Sequence, residues 1–153
     1  MTNNEIIRRV RYMFDFNDAK MISVFKLADL DVKETELKNW MRKEDDPLLI
    51  EIPDKILATF LNGLIIEKRG KREGPQPEPE DWLTNNLILM KLRIALNLTS
   101  DDILDLFSTT EHKISKHELS SFLRKRDHRS YRTFLDQYLR NFLTALQTKM
   151  RAK

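Results

Sequence analysis

The apolar residues of the chain recur three or four positions apart, which is the spacing of one face of an α-helix. No segment shows the strict alternation of apolar and polar residues that is typical of a half-buried strand. Four helices are predicted in the first half, and the fourth begins near Pro53. Their predicted inward-facing residues are Ile6, Val10, Met13, Phe14; Met21, Val24, Phe25; Leu37, Trp40, Met41; and Ile56, Leu57, Phe60, Leu61, Leu64.

The same pattern occurs a second time in the other half of the chain. TNNEIIRRVRYMFDF, from Thr2, aligns with TNNLILMKLRIALNL, from Thr84, and the alignment continues without a gap to the end of the chain. The chain is therefore a tandem duplication. The predicted inward-facing residues of the second copy are Ile88, Leu92, Ala95, Leu96; Ile103, Leu106, Phe107; Leu119, Phe122, Leu123; and Leu135, Tyr138, Leu139, Phe142, Leu143, Leu146.

Polar residues mark the predicted helix starts. Thr2 or Asn3, and Thr84 or Asn85, are expected to cap the first helix of each copy, and Asp18 and Thr99 or Ser100 the second. The third helix should begin near Lys33 and near Ser115. Ser115 and Glu118 have the spacing of a capping box. The last helix of the second copy is expected to begin near Tyr131.

The two copies are separated by EKRGKREGPQPEPE, from Glu67 to Glu80, which holds two of the three glycines and three of the five prolines. Prolines at alternate positions favour an extended spacer that rises about 3 Å per residue. We therefore predict a first repeat over 1–69, a connector over 70–82 and a second repeat over 83–153. The predicted fold is all-α: two tandem four-helix repeats packed together, each with a degenerate helix-turn-helix-like segment.

Three stretches carry a family resemblance: FLNGLIIEKRGKREGPQPEPE (60–80), LTNNLILMKLRIALNL (83–98) and ISKHELSSFLRK (114–125). With them, the chain resembles the YehS-like proteins, a bacterial family known only as a repeated domain of unknown function. The resemblance covers essentially the whole chain. It implies a small cytoplasmic helical protein of two repeats, and it supplies no activity or site residue.

Composition agrees with a folded cytoplasmic protein. The chain has 153 residues, of which 41% are hydrophobic and 33% charged. Its apolar runs are far shorter than the roughly 20 residues that span a bilayer, so no membrane association is expected. The N-terminal MTNNEIIRRV has no apolar core of a signal peptide. There is no cysteine, so disulfides and thiol chemistry are excluded.

Catalytic and metal-binding patterns are not evident. The histidines His112, His117 and His128 lie in a strongly cationic segment, and we interpret them as surface residues. Asp101, Asp102 and Asp105 suit a helix start, where negative charge is favourable against the helix dipole. No glycine-rich phosphate loop is present. We therefore expect no enzyme activity, no cofactor and no metal.

Charge distinguishes the two copies. The segment from Lys113 to Arg132 carries seven basic and two acidic residues, whereas its equivalent, from Asp31 to Ile50, carries four and six. The apolar positions match, so the difference must lie on the outer surface. The predicted binding residues there, for nucleic-acid phosphates or an acidic partner, are Lys116, Ser120, Arg124, Lys125, Arg126 and Arg129.

Three interpretations of this basic segment remain open. The first is electrostatic contact with DNA or RNA, with the third helix of the repeat as a degenerate recognition helix. The second is a protein-interaction adaptor that has an acidic face on repeat one and a basic face on repeat two, which could also pair in a head-to-tail homodimer. The third is structural: the cations close a helix, where they suit the dipole.

Overall fold

The computed structural model describes residues 1–152, and within them it contains eight α-helices and no strand. The all-α prediction and the tandem organisation are confirmed. The helices are α1 (Asn3–Phe14), α2 (Asp18–Leu27), α3 (Glu34–Trp40), α4 (Asp54–Arg69), α5 (Asn85–Leu96), α6 (Ser100–Ser108), α7 (Lys116–Phe122) and α8 (Asp136–Arg151). None of these helices combines the length and apolar content that crossing a bilayer requires.

The helix boundaries repeat in the register that places Thr84 on Thr2. The Oγ1 atoms of these two threonines accept hydrogen bonds from backbone N–H groups in the first turns of α1 and α5. Both helices end at a residue in the left-handed conformation, Asp15 (φ 55°) and Asn97 (φ 53°). Aspartate and asparagine tolerate this conformation better than other non-glycine residues.

Two predicted helix starts are corrected by the structure. Asn17, and not Asp18, caps α2, because its side chain accepts a hydrogen bond from the Lys20 N–H. The last helix begins at Asp136 rather than near Tyr131. Leu135 occupies the N-cap position there and is 56% exposed, so its predicted inward orientation is wrong, while Phe134 beside it is fully buried.

The two repeats share one hydrophobic core. Helix α1 of the first repeat packs against α8 of the second, and α5 of the second packs against α4 of the first. This reciprocal exchange is what a pseudo-twofold relation between two copies produces. The buried residues of all eight helices belong to a single cluster, so neither repeat has a core of its own.

A buried asparagine near the start of each repeat holds the segment that follows its third helix. The Asn4 side chain donates to Trp40 O (3.0 Å) and Ile50 O (2.9 Å) and accepts from the Ile52 N–H (2.9 Å). Asn86 repeats all three bonds, with Phe122 O, Arg132 O and the Phe134 N–H. Each asparagine therefore satisfies backbone groups that would otherwise be buried without partners.

Residues 71–84, between α4 and α5, contain no helix. The segment is attached to both repeats: Glu80 forms a salt bridge with the buried Lys91 (3.0 Å), and the Leu83 N–H donates to Asp54 (2.9 Å). Between them Trp82 remains 56% exposed.

Candidate functional site

The six residues predicted for binding lie close together in the sequence, at the surface of the second repeat. Lys116 and Ser120 are on α7, and the other four are in the loop that follows it, residues 123–131, here called the basic loop. All six side chains are exposed.

The basic loop is held at its base. Asn86 bridges Phe122 O and Arg132 O, the carbonyls immediately before and after the loop. A backbone hydrogen bond from Arg132 N to Ser121 O (3.2 Å) closes the same base. The cations are thus presented by a constrained segment, which lowers the entropy lost when they bind a partner.

The basic residues are not explained as cations that close a helix. Helix α7 ends at Phe122, and its last turn contains no basic residue. The interaction of a charge with the helix dipole falls off within the last turn. Arg124, Lys125 and Arg126 therefore contribute little to the helix.

The second repeat has also lost the carboxylates that neutralise the equivalent cations of the first. In the first repeat, Arg11 forms a salt bridge with Asp18. Its equivalent, Arg93, faces Ser100 at the Asp18 position, and the buried Nε of Arg93 has no hydrogen-bond partner within residues 1–152.

The same loss occurs around the loop. Arg42 pairs with Asp46 (3.1 Å), and the pKa of Asp46 is lowered by a hydrogen bond from the Leu48 N–H and then by Arg42 itself. Arg124, the equivalent of Arg42, has no carboxylate at the corresponding position, since His128 replaces Asp46.

Two further positions change in the same direction: Glu34 is replaced by Lys116, and Glu44, which pairs with Arg8 in the first repeat, is replaced by Arg126. Within the part of the chain that the structure describes, no basic side chain from Lys113 to Arg132 takes part in a salt bridge.

Two adjoining clefts lie at this surface. The larger, about 430 Å³, is lined by Lys116, Ser120, Arg124 and the unpaired Arg93, among others. The second, about 380 Å³, is lined by all three cations from Arg124 to Arg126 together with three aromatic residues. Arg124 lines both clefts, whereas Arg129 lines neither. The structure thus brings five of the six predicted residues together.

The aromatic residues of the second cleft are Trp82, Tyr131 and the buried Phe122. The guanidinium of Arg126 lies over the Trp82 ring, 4.1 Å from its centre, in a cation–π contact. Trp82 was missed by sequence reasoning, which treated it as part of the connector. Its position outside every apolar helix stripe is the signal that could have identified it.

The remaining predicted features are scattered. His112 packs edge-on against Tyr138, His128 Nδ1 accepts from the Ser130 N–H, and His117 is exposed. Within residues 1–152, no group of three histidine or acidic side chains is placed to hold a metal ion.

Residues 109–115 separate α6 from α7. This connection is longer than the three to four residues of a standard helix-turn-helix turn. The helix-turn-helix interpretation stays a prediction.

A family model described as a protein of unknown function (DUF1456) matches the chain twice, over residues 3–70 and 85–152. The chain belongs to the DUF1456 family. The chain is also 39% identical, over 154 residues, to an uncharacterised protein, YehS, of Escherichia coli (strain K12), in an alignment that covers 100% of this chain and 99% of that protein. No solved structure matches. DUF1456 membership confirms the resemblance noted from the sequence and assigns no activity.

Proposed function

We propose that the protein is a non-enzymatic nucleic-acid-binding protein that uses the basic loop and α7 of its second repeat. One observation carries the proposal: at four equivalent positions an acidic residue of the first repeat is replaced by a serine, a histidine or a cation, while the core positions remain apolar. Two of these acidic residues, Asp18 and Asp46, neutralise arginines that the second repeat retains as Arg93 and Arg124, and folding stability gives no reason to remove those two countercharges. A negatively charged partner gives such a reason, because it supplies the missing countercharge when it binds.

The geometry supports phosphate contact first. Arginine and lysine side chains that project from a constrained loop position a nucleic-acid backbone without reading its sequence. The two clefts that meet at Arg124 combine this charge with the exposed ring of Trp82, on which an unpaired base could stack. This combination favours single-stranded over double-stranded nucleic acid.

The test is fluorescence anisotropy with a labelled single-stranded RNA and a labelled duplex DNA, between about 50 and 300 mM salt, where counterion release gives a steep salt dependence. Binding should weaken linearly on a log–log plot. Neutralising one phosphate-contacting cation, as in Lys125→Gln, should reduce the slope by about one.

Charge reversal supplies the matched control. The triple variant Arg124→Glu, Lys125→Glu, Arg126→Glu should abolish binding. A second triple variant, Lys33→Glu, Lys38→Glu, Lys43→Glu, changes the net charge equally, but at exposed lysines of the first repeat that form no salt bridge within the described residues. Equal loss in both variants, or no binding at the lowest salt concentration, would overturn the proposal.

A further inference from the structure

A groove between α6 and α8 lies apart from the basic loop. It has a volume of about 600 Å³ and is lined by residues of both helices and of the segment that follows α6. Six of its lining residues are Thr109, Thr110, Glu111, Thr144, Thr148 and Ala152. This volume is within the range of ligand-binding pockets.

The first repeat has the equivalent groove, and there the protein's own connector covers it. Six of the lining positions of the α6–α8 groove have as their equivalents in the first repeat Leu27, Ala28, Asp29, Asn62, Ile66 and Gly70. In the first repeat these residues share a smaller cavity of about 290 Å³ with Arg72, Gln76, Pro77, Glu78 and Pro79. The extended, proline-rich connector therefore forms one wall of the first groove.

The connector is fixed in that position at its C-terminal end. Its backbone has neither helix nor bend from residue 76 to residue 80. Glu80 then pairs with Lys91, whose Nζ also donates to Asn62 at the edge of the groove (2.7 Å). The groove of the second repeat has the equivalent contact. Arg9 occupies the position of Lys91 and donates a hydrogen bond to Thr144 (2.6 Å).

The two grooves also differ at one small residue. Gly63 lets α2 approach α4 closely, because a Cβ atom at this position would lie 2.1 Å from Val24 O. Ala145 stands at the equivalent position of α8 and lines the open groove, which has the larger volume. A methyl group at this position does not allow α6 to approach α8 as closely as α2 approaches α4.

The chemistry of the lining residues also differs between the two grooves. Leu27, Ala28 and Ile66 of the first groove are replaced by Thr109, Thr110 and Thr148. Asp102, Asp105 and Glu111 face Lys149 across the second groove, so its α6 side is acidic. Within residues 1–152, no extended segment lies over it.

We propose that the α6–α8 groove binds an extended, proline-containing peptide of a partner protein, in the way that the first groove holds the connector. The peptide carries cations where the connector carries Gln76 and Glu78, because these two residues line the first cavity together with Asp29, whose equivalent in the second groove is Glu111. It keeps a carboxylate at the Glu80 position, where Arg9 replaces Lys91. An extended polyproline-like segment loses little conformational entropy on binding, which suits such a groove.

The probe is a fluorescein-labelled peptide, GPKPKPE, which is the connector segment 74–80 with lysine at positions 76 and 78. Two matched peptides are the native GPQPEPE and the proline-free GAKAKAE. Fluorescence anisotropy should show saturable binding of GPKPKPE at least ten-fold tighter than of either control. Equal binding of all three peptides would refute an extended, basic ligand.

Location is tested with the double variant Asp105→Lys, Glu111→Lys, which should weaken binding at least ten-fold. The matched control, Asp45→Lys and Glu51→Lys, reverses two exposed acidic residues of the first repeat and should leave binding unchanged. The basic-loop triple variant should also bind GPKPKPE normally, so this proposal and the nucleic-acid proposal fail separately.

Sedimentation of the protein alone distinguishes a second copy as the occupant. A dimer that becomes a monomer in Asp105→Lys, Glu111→Lys would mean that another molecule of this chain fills the groove, and it would overturn the proposal. Circular dichroism verifies that each variant is folded.

Discussion

At the scale of single residues, Asn4 and Asn86 show how a buried polar side chain fixes a loop. Both sit one residue inside the first helix of their repeat, and both are more than nine-tenths buried. Every hydrogen bond that their side chains form reaches backbone that is distant in the sequence, beyond the third helix of the same repeat or at its end. A helix pattern identifies neither residue, because asparagine at the start of a helix is also the expected choice for local capping.

Asn86→Ala should lower the free energy of unfolding by about 3 kcal/mol, because it leaves three backbone groups without partners. Asn85→Ala is the matched control, since the Asn85 side chain bonds only to Asp136 near the surface, and it should cost less than about 1 kcal/mol. Urea denaturation measures both values. Similar costs for the two variants would contradict the role given to Asn86.

Trp82→Ala should weaken single-stranded RNA binding about ten-fold and duplex DNA binding much less, because base stacking on an aromatic ring is worth about 1–3 kcal/mol and requires an unpaired base. Anisotropy with both probes at one salt concentration provides the comparison. Trp82→Phe retains a ring and should bind the RNA nearly as well as the wild type. An equal loss for RNA and DNA in Trp82→Ala would argue against stacking.

At the scale of the elements, capping differs between the repeats. Helix α7 has a complete capping box, in which Ser115 and Glu118 each accept a backbone hydrogen bond from the other, whereas at α3 only Glu36 accepts, from Lys33 N. The sequence predicts both arrangements, because each depends only on residues three apart. Thr99 and Asp102 form a second complete box, at the start of α6.

The Asp102 box makes part of the stability depend on pH. Hydrogen bonds from the Thr99 backbone and side chain lower the pKa of Asp102 in the folded state. Its carboxylate therefore stabilises the fold at pH values above the unfolded pKa of about 3.9, and this contribution is lost as the pH falls through the lowered folded pKa.

Accordingly, the stability difference between the wild type and Asp102→Asn should be largest near neutral pH and should shrink as the pH approaches 3. Urea denaturation over this range measures the difference. Asp101→Asn is the control, because Asp101 forms no side-chain hydrogen bond within the described residues. A difference that stays constant from pH 7 to pH 3 would rule out the capping contribution.

At the scale of the whole molecule, the reciprocal packing predicts that both repeats unfold together. Leu89 is fully buried in α5 of the second repeat, and Leu89→Ala should cost about 2–5 kcal/mol. In a Trp82→Phe background, the fluorescence of Trp40 reports on the first repeat alone. In Leu89→Ala, the midpoint of the unfolding transition reported by Trp40 should decrease by as much as the midpoint from far-ultraviolet circular dichroism, as two-state unfolding requires. An unchanged Trp40 transition would show that the repeats unfold independently.

Much of this architecture could be predicted from the sequence, because each copy supports the assignment of the other. The apolar face of each helix is visible as a short-range periodic pattern. Each such pattern occurs twice, because the two copies align without a gap. The errors at Leu135 and Tyr131 arose where a long-range bond from Asn86 keeps the backbone extended. Trp82 lies beside the basic loop because its ring contacts Arg126, which is distant from it in the sequence. Such contacts leave no local periodicity.

The reciprocal packing of the repeats, α1 on α8 and α5 on α4, also affects how the surfaces of the two repeats could become different. Two identical chains that paired in the same way, α1 on the partner's last helix, would form a symmetric dimer, in which any substitution appears on both halves. Covalent linkage removes that constraint. One half can retain the compensating carboxylates, a covered groove and Gly63, while the other changes each of them. Two identical copies of a single repeat could not acquire the asymmetry of this molecule.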